Sequence, residues 1–346
     1  MDLSKSKILI TGASGHLGKQ LVYDMVKSGI KPICHVRETS DTRLIDSFDL
    51  EKRVADLRNL KQLEKLVEGI DFIIHTAAIV DFRQDRLTQF ASINTVGAVD
   101  LFKISSRAGV KKFLHISTVA AIGALSYRKK INNHLNENDY PTADENTKFN
   151  LENLRIPYII SKYAAEKELL LEAEHNHTRL IIVNPSIILA PSRSGDNRDA
   201  ALRRFFKSFI MPDYGNIMNL VDIRDVSQGI MLALEKGSPN ERYILGGDNL
   251  TGRDLALTAS AILGKVPHLI KMPKKILNLV ATSPVLAKKF SGISKVKLYP
   301  DLIKLLDYDW VYSSNKARRE LGYNYRSIYV SLNDILNNGF TDYLDD

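Results

Sequence analysis

Residues Lys7 to Gly18 read KILITGASGHLG and decide the fold of this chain. Four β-forming residues, ILIT at 8–11, run into Gly12, Gly15 and Gly18, and apolar residues recur at helical spacing directly afterwards. A buried parallel strand reads as a short apolar run, and a helix that begins at its carboxyl end forms an anion site. Because strand, glycines and helix come in the required order, the stretch predicts a site for a dinucleotide pyrophosphate.

Each glycine of this loop has its own predicted role. Gly12 permits a tight turn, Gly15 lets the pyrophosphate approach the backbone, and Gly18 lets the helix pack on the strand. The predicted cofactor contacts of the loop are Gly12, Ser14, Gly15, His16, Leu17 and Gly18.

Length and composition suit a nucleotide-binding domain with a smaller companion. The 346 residues are 44% hydrophobic and can bury a substantial core. No stretch approaches the roughly 18 uninterrupted apolar residues of a membrane span, and the short polar start MDLSKS predicts no signal peptide. The single cysteine, Cys34, excludes an internal disulfide. These features predict a cytoplasmic protein, and the scattered histidines predict no metal site.

The net charge of +8 comes from 48 basic and 40 acidic residues. The excess lies in 265–297, which holds eight lysines and no acidic residue. No nucleic-acid-binding motif accompanies these lysines, so we interpret them as a solvated face and expect no nucleic-acid partner. Apolar residues between the lysines at 269–290 also suit membrane contact. Because Pro284 interrupts that stretch, we favour a packed helix of the substrate domain.

The residue that ends the second predicted strand, 31–37, lies beside the adenosine ribose in a dinucleotide-binding fold. An acidic residue there binds the 2′-hydroxyl of NAD and repels the 2′-phosphate of NADP. This chain has Arg37 instead, followed by Thr39, Ser40 and Arg43. Since arginine suits bidentate phosphate recognition, we predict NADP(H) as the cofactor. NAD(H) is the alternative, in which Arg37 is only a surface residue.

The next two strands end in further candidate contacts. Asp56 and Leu57 follow the third strand, where an adenine ring is bracketed, and Asp56 also suits the N-cap of the helix after it. The fourth strand ends in Ala77 and Ala78, whose small side chains let the cofactor lie against the backbone. An interior histidine of that strand, His75, is predicted to be packed rather than catalytic.

Polar residues in the following helix and strand are candidates for the chemistry. Asn94 lies in the middle of a predicted helix, 89–108, where asparagine is unfavourable, so a packing or polar role is expected to compensate. The fifth predicted strand, 112–118, ends in two hydroxyls, Ser117 and Thr118.

Tyr158 and Lys162 are four residues apart in a predicted helix, 158–174, and therefore share a face. A lysine ammonium near a phenol lowers the pKa of the phenol, which makes tyrosine a proton donor and acceptor near neutrality. Tyr163 and Lys167 repeat the spacing on a rotated face. The spacing alone leaves both pairs open.

In this order, the motifs resemble the extended short-chain dehydrogenase/reductase family over essentially the whole chain. The chain is most similar to the branch of dihydroflavonol 4-reductases, 3β-hydroxysteroid dehydrogenases and cinnamoyl-CoA reductases. The motifs that carry the resemblance are TGASGHLG at 11–18, ADL at 55–57, HTAA at 75–78, Asn94 with Gly97, HIST at 115–118, YIISK at 158–162, NPS at 184–186 and VDIRDV at 221–226.

The resemblance implies an α/β fold: a Rossmann-type doubly wound parallel sheet with a smaller, mainly helical C-terminal substrate domain. The implied NAD(P)-binding domain is 1–184, with 219–247 returning to it. The implied substrate domain comprises 185–218 and 248–346. The polar, asparagine-rich stretch 126–155 is interpreted as a surface insertion or lid.

The resemblance also separates the two tyrosine–lysine pairs. The family pattern Tyr-x-x-Ser-Lys-x-x-x-Glu matches Tyr158, Ser161, Lys162 and Glu166, whereas Tyr163 falls at a variable position. Tyr158 and Lys162 are therefore the implied catalytic pair, and both are also implied cofactor contacts.

The same comparison selects one of the two hydroxyls. The catalytic hydroxyl of the family lies five residues before a glycine that follows the fifth strand. Gly123 fits that glycine, which selects Thr118 over Ser117.

Other implied roles are less sharply defined by the motifs. Pro185 and Ser186 are implied cofactor contacts, and Asn94 is implied to position a water or the cofactor. Two departures, at 121–122 and at Ala190, imply a substrate pocket unlike that of the sugar-nucleotide members.

The implied function is NADPH-dependent reduction of a ketone or aldehyde to an alcohol, reversible as an oxidation. Tyr158 would protonate the developing alkoxide, Thr118 would donate a second hydrogen bond, and Lys162 would lower the tyrosine pKa and hold the nicotinamide ribose. The implied partners are a small-molecule carbonyl or alcohol substrate and a second copy of the chain.

Two alternatives use parts of the same pattern. A nucleotide-sugar epimerase or dehydratase with tightly bound NAD uses the same catalytic residues, and the basic run 193–207 would hold its diphosphate. Arg37 argues against this alternative, since those family members mostly retain NAD. A non-catalytic NADP-sensing regulator is the third hypothesis, and the intact catalytic residues argue against it.

Overall fold

A computed structural model of the chain describes residues 3–80, 87–126, 141–190, 210–265, 268–271, 273–283 and 300–338. Residues 127–140 of the predicted insertion, the basic run at 193–207 and the second part of the lysine-rich stretch lie outside these described residues. Within them, no helix has the length and apolar character needed to cross a membrane. Within the same ranges, no three histidine, cysteine or acidic side chains lie together as metal ligands would.

The described strands and helices follow one another in a largely alternating order. The strands are β1 (Ile8–Thr11), β2 (Ile33–Val36), β3 (Lys52–Val54), β4 (Phe72–His75), β5 (Lys112–Ile116), β6 (Leu125–Ser126), β7 (Arg179–Pro185), β8 (Ile187–Leu189), β9 (Ile210–Asp213), β10 (Ile217–Asp222), β11 (Glu241–Leu245), β12 (Asp248–Thr251), β13 (His268–Lys271) and β14 (Tyr308–Asp309). The α-helices are α1 (His16–Lys27), α2 (Arg43–Ser47), α3 (Leu60–Leu66), α4 (Leu87–Phe90), α5 (Gly97–Arg107), α6 (Pro157–Ala173), α7 (Ile223–Lys236), α8 (Gly252–Leu263), α9 (Lys274–Thr282), α10 (Pro300–Leu305), α11 (Asn315–Leu321) and α12 (Ile328–Asn333).

A seven-stranded parallel sheet forms the centre of the molecule. Its strand order is β11-β7-β5-β4-β1-β2-β3. Chain order reverses between β1 and β4, and open α/β sheets bind ligands at such a switch point, outside the carboxyl ends of the strands. All four residues of β1 are buried, as expected for a strand covered on both faces.

Helices cover both faces of this sheet. On one face, Met25 of α1 and Ile230 of α7 pack against Ile10 in one apolar cluster. On the other face, α3, α5 and α6 contribute to a second cluster around Leu9 and Phe113. The doubly wound Rossmann-type fold expected from the sequence is confirmed.

The later part of the chain adds small sheets and helices. Strand β10 pairs with β8 and β12, β9 pairs with β13, and β6 pairs with β14. Of the predicted return at 219–247, α7 packs on the central sheet and β11 joins its edge, whereas β10 belongs to the small three-stranded sheet.

Ion pairs tie the last helical segment to the start of α7. The Nη2 atom of Arg224 lies 2.7 Å from a carboxylate oxygen of Asp222 and 2.7 Å from one of Asp334. The Nε atom of Arg326 lies 2.8 Å from Oδ1 of Asp225. These contacts anchor the described C-terminal residues to the central domain.

Two local predictions are wrong. The N-cap of α3 is Asn59, whose side chain accepts a hydrogen bond from the Gln62 amide, rather than Asp56. The single helix predicted over 89–108 is interrupted by a π-helical segment at Ala91–Val96. A Cβ atom on Gly97 would lie only 3.3 Å from the Leu57 Cβ atom, so this glycine permits a close approach where the α-helical geometry resumes.

Candidate active site

A cavity of about 880 Å³ opens at the carboxyl ends of the central strands. Its size lies within the range of small-molecule and cofactor sites. Every predicted cofactor contact lines it: Gly12, Ser14, Gly15, His16, Leu17, Gly18, Arg37, Asp56, Leu57, Ala77, Ala78, Tyr158, Lys162, Pro185 and Ser186. Thr118 lines it too, whereas Asn94 is not among the described lining residues.

The glycine loop forms a bare backbone wall of the cavity. Gly12 has a φ of +69°, and a Cβ atom there would lie 2.8 Å from the Ala77 Cα atom. A Cβ atom on Gly18 would lie 2.2 Å from the Gly12 oxygen, so only glycine lets α1 pack this closely on β1. The N-terminus of α1, capped by Gly15 without a side-chain bond, faces the cavity. This arrangement fits the pyrophosphate of a dinucleotide.

Two arginines stand at the predicted adenosine end. Arg37 lines the cavity where β2 ends, and Arg58 lines it after β3. The Arg58 guanidinium donates to both carboxylate oxygens of Asp56, with Nε 2.9 Å from Oδ1 and Nη2 2.5 Å from Oδ2. Together with the Arg37 charge, this pairing lowers the pKa of Asp56 to about 2. Nothing in the sequence pattern singled out Arg58, although it follows the ADL motif directly.

Arg43, the other basic residue noted at this end, contacts an acidic residue of the cavity wall but does not line the cavity itself. Its side chain pairs with Asp41 at 2.9 Å and is 87% exposed. Asp41 also pairs with Lys19 at 3.0 Å, and these two cations hold the pKa of Asp41 well below its usual range. Arg43 is absent from the described cavity wall, which makes it a useful control for Arg37.

Thr118 and Tyr158 meet at the cavity wall. Thr118 follows β5 in an extended conformation, and Tyr158 lies in the first turn of α6, which begins with Pro157. Desolvation raises the pKa of Tyr158 to about 12, and the neighbouring Thr118 hydroxyl acts in the opposite direction.

Lys162 lies one helical turn after Tyr158 and is buried. Its Nζ atom donates to the Ile116 carbonyl oxygen at 2.6 Å. Burial lowers the pKa of Lys162 to about 8, and the neighbouring Glu166 charge opposes that change. Desolvation dominates the Tyr158 pKa here and the Lys162 ammonium bonds the main chain, so the implied lowering of that pKa by Lys162 stays a prediction.

The second tyrosine–lysine pair, Tyr163 and Lys167, does not face the cavity. The ring of Tyr163 stacks on Phe149 with centroids 3.9 Å apart and planes 12° apart. Lys167 is exposed. Neither Tyr163 nor Lys167 belongs to the described cavity wall.

The Asn94 side chain makes its hydrogen bonds to other residues of the protein. Its Oδ1 atom accepts from the Ile79 amide at 2.8 Å, and its Nδ2 atom donates to the Ile79 carbonyl at 3.0 Å and to the Ser161 Oγ atom at 3.1 Å. Ile79 itself lines the cavity. Asn94 thereby joins the cavity wall at Ile79 to helix α6, and its implied role in positioning a water or the cofactor stays a prediction.

Further side chains on the wall carried no sequence signal of their own. Ile79, Val80, Ile93 and Ile188 add apolar surface to the cavity. Ile79 and Val80 follow β4, Ile93 lies in the π-helical segment and Ile188 lies in β8, so only the folded chain brings them together.

His75 is packed, as predicted. It is buried, its Nδ1 atom lies 2.8 Å from the Thr11 Oγ1 atom, and its ring stacks on His115 with centroids 5.4 Å apart. Burial lowers the pKa of His75 to about 3 and lowers that of His115 as well, so both rings are neutral near pH 7.

Comparisons with known proteins agree with this geometry. The profile of the NAD dependent epimerase/dehydratase family matches residues 8–246. The Sterol demethylase protein B of Methylococcus capsulatus is 27% identical over 319 residues, which cover 91% of this chain and 92% of that protein. A putative dihydroflavonol 4-reductase of Synechocystis is 28% identical over 335 residues, covering 94% and 92%. The crystal structure of gox2253 matches with a TM-score of 0.75 at 27% identity, covering 96% and 97%.

Proposed function

Because the chain belongs to the NAD dependent epimerase/dehydratase family, and is thus an NAD(P)-dependent oxidoreductase, we propose that it reduces a ketone or aldehyde with NADPH. The observation that carries the proposal is that Thr118 and Tyr158 lie together on the wall of the cavity that the glycine loop also lines. Two adjacent hydroxyls can both donate to one carbonyl oxygen. The same groups serve the reverse oxidation of an alcohol.

The residues around the cavity suit the parts of such a cofactor. The backbone at Gly12 and Gly15 would hold the pyrophosphate, and Asp56 with Leu57 would bracket the adenine. When bound, the cofactor supplies the hydride that the carbonyl carbon accepts.

The protein's own contribution is proton transfer and charge stabilisation. With a pKa raised to about 12, Tyr158 is a neutral phenol near pH 7 and can donate its proton to the developing alkoxide. Thr118 donates a second hydrogen bond to the same oxygen. Lys162, protonated below about pH 8, supplies positive charge on the same helix face, which favours the phenolate left behind. Asn94 acts as a positioning residue, since it holds Ile79 of the wall against α6.

The choice of NADPH rests on the basic residues of the adenosine end. Arg37 lines the cavity there with Thr39 and Ser40, and Arg58 adds a second guanidinium. Guanidinium and hydroxyl groups together suit a 2′-phosphate. The apolar side chains of the wall favour a carbonyl carried on an apolar body, and two relatives are named for a sterol and a dihydroflavonol.

Cofactor titration tests this proposal. The protein is denatured, any released nucleotide is identified, and the refolded or nucleotide-free protein is titrated with NADPH and NADH. We expect exchangeable binding with preference for NADPH, and Arg37→Ala should weaken NADPH binding about 10-fold or more while sparing NADH. Arg43→Lys, which keeps a positive charge beside Asp41, is the matched control and should change neither affinity. Stoichiometric, non-exchanging NAD would overturn the reductase proposal in favour of a nucleotide-sugar epimerase or dehydratase.

A further inference from the structure

Glu166 is a buried carboxylate directly behind the candidate catalytic residues. It lies one helical turn after Lys162 on α6 and is 2% exposed. Its Oε1 atom accepts a hydrogen bond from the Asn184 Nδ2 atom at 2.6 Å, and its Oε2 atom lies 3.4 Å from the Arg242 Nη1 atom. A carboxylate this deeply buried is costly unless it is paired and hydrogen-bonded.

Asn184 connects this carboxylate to the candidate catalytic hydroxyl. The same Nδ2 atom donates to the main-chain carbonyl of Thr118 at 3.0 Å. Glu166 therefore neighbours Lys162 along the helix and Thr118 through one amide group.

Arg242 approaches Glu166 from the edge strand β11. Its Nη2 atom donates to the Glu145 carbonyl oxygen at 2.7 Å, and the Glu145 Oε1 atom accepts from the Ile244 amide at 2.9 Å. These bonds hold the guanidinium in place. The Arg242 side chain is 28% exposed, so its guanidinium places a positive charge between the solvent and the buried Glu166 carboxylate.

Titratable groups around Lys162 and Glu166 come from four elements, one of which is β11 with Arg242. Tyr158 and Glu166 face Lys162 from α6, and His75 and His115 face it from β4 and β5. Both histidines are neutral near pH 7, because burial lowers the pKa of each.

Burial and the neighbouring groups shift the Glu166 pKa in opposite directions. Burial raises the pKa of Glu166, while Ser117, Arg242 and Asn184 lower it, and Arg242 is the one charged group among these three. An ionised Glu166 in turn raises the pKa of Lys162. Glu166 and Lys162, both buried and one helical turn apart, therefore influence each other's ionisation.

We propose that Arg242 is a positioning residue for the reaction proposed above: it keeps Glu166 ionised, and ionised Glu166 keeps Lys162 protonated beside Tyr158. Loss of Arg242 favours a neutral Glu166, and a neutral Glu166 no longer retains the Lys162 proton. The direct effect of removing a positive charge would be the opposite, since it would help Lys162 to stay protonated. The direction of the change therefore distinguishes action through Glu166 from simple electrostatic proximity.

Proton titration of Lys162 in the ligand-free protein tests this proposal. Lysines are labelled with 13C at Cε, and the Lys162 resonance is assigned by its loss in Lys162→Arg. It should separate from exposed lysines because it titrates near pH 8. In Arg242→Gln and in Glu166→Gln, we expect the titration midpoint to fall by about half a pH unit or more. In Arg242→Lys, which retains the charge, the midpoint should stay closer to the original.

Arg326→Gln is the matched control. Arg326 is 32% exposed and pairs with the buried Asp225, as Arg242 is 28% exposed and pairs with the buried Glu166, but it lies on the C-terminal segment. Its loss should leave the Lys162 midpoint unchanged. An unchanged or raised midpoint in Arg242→Gln would overturn the proposal.

A double variant covers the case in which Arg242→Gln alone fails to fold. Glu166→Gln with Arg242→Gln removes both charges and leaves no lone buried carboxylate. Its midpoint should equal that of Glu166→Gln, and a further fall would contradict action through Glu166. The titration needs neither substrate nor cofactor, so its outcome and that of the reductase assay are independent.

Discussion

The Nζ atom of Lys162 lies 2.6 Å from the carbonyl oxygen of Ile116, the last residue of β5. This bond ties helix α6, which carries Tyr158, to the strand that Thr118 follows. It holds the two hydroxyl-bearing residues of the cavity wall in register before any ligand arrives. Preorganised donors of this kind act without reorganisation during the reaction.

Tyr158→Phe should nearly abolish carbonyl reduction. Proton donation by a general acid typically accelerates a reaction by about 100-fold to 10,000-fold. The variant removes the phenol proton that Tyr158 would donate. Affinity for NADPH, measured by fluorescence titration, should change little. Tyr163→Phe keeps the ring that stacks on Phe149 and should retain activity. Full activity in Tyr158→Phe would contradict the role given to this phenol.

The rate of reduction should fall as pH rises through about 8. Lys162 loses its proton near that pH, while Tyr158 remains a neutral phenol up to about 12. The charge that stabilises the phenolate is therefore lost before the proton donor is. A profile of kcat/KM against pH checks this, and a flat profile between pH 7 and pH 9 would argue against Lys162.

The free energy of unfolding should decrease as pH falls from about 6.5 toward 3. The folded-state pKa of His75 is about 3, so the unfolded chain binds a proton that the folded protein excludes. This contributes a slope of at most about 1.4 kcal/mol per pH unit for that residue. Urea unfolding at several pH values should show a shallower slope in His75→Gln. The exposed His175 offers the control, and His175→Gln should leave the slope unchanged.

Gly18→Ala should lower both stability and cofactor affinity. Its Cβ atom would lie 2.2 Å from the Gly12 oxygen, so α1 must move away from β1, at a cost of about 2 kcal/mol or more. Gly29→Ala is the control, since Gly29 has a φ of +78° and no atom within 4 Å of the added Cβ. That change should cost about 1 kcal/mol through backbone strain alone and spare NADPH binding. Equal effects of the two variants on binding would contradict the packing role of Gly18.

Local sequence patterns were sufficient to predict the parallel sheet and many of the residues that line the cavity. The apolar run before Gly12 marks a strand buried on both faces, and the residues beyond each strand end share one edge of a parallel sheet. Arg37 could be assigned to that edge from its place after β2 alone.

Contacts between distant segments could not be predicted in this way. The widened helical turn at Ala91–Val96 directs Asn94 to Ile79, and nothing in its own stretch indicates that partner. The approach of Arg242 to Glu166 joins residues 76 positions apart. The pKa of Tyr158 depends on burial, which the spacing of Tyr158 and Lys162 does not encode.

Thr118, Tyr158, Lys162 and the supporting Asn184 all lie between β5 and the end of β7. The segments after β7 reach this group at a few places, among them Ile188 and Arg242. A lineage with this layout can exchange its later segments, apart from β11 with Arg242, and keep these four residues in place. Substrate preference can then change between relatives while these residues stay the same.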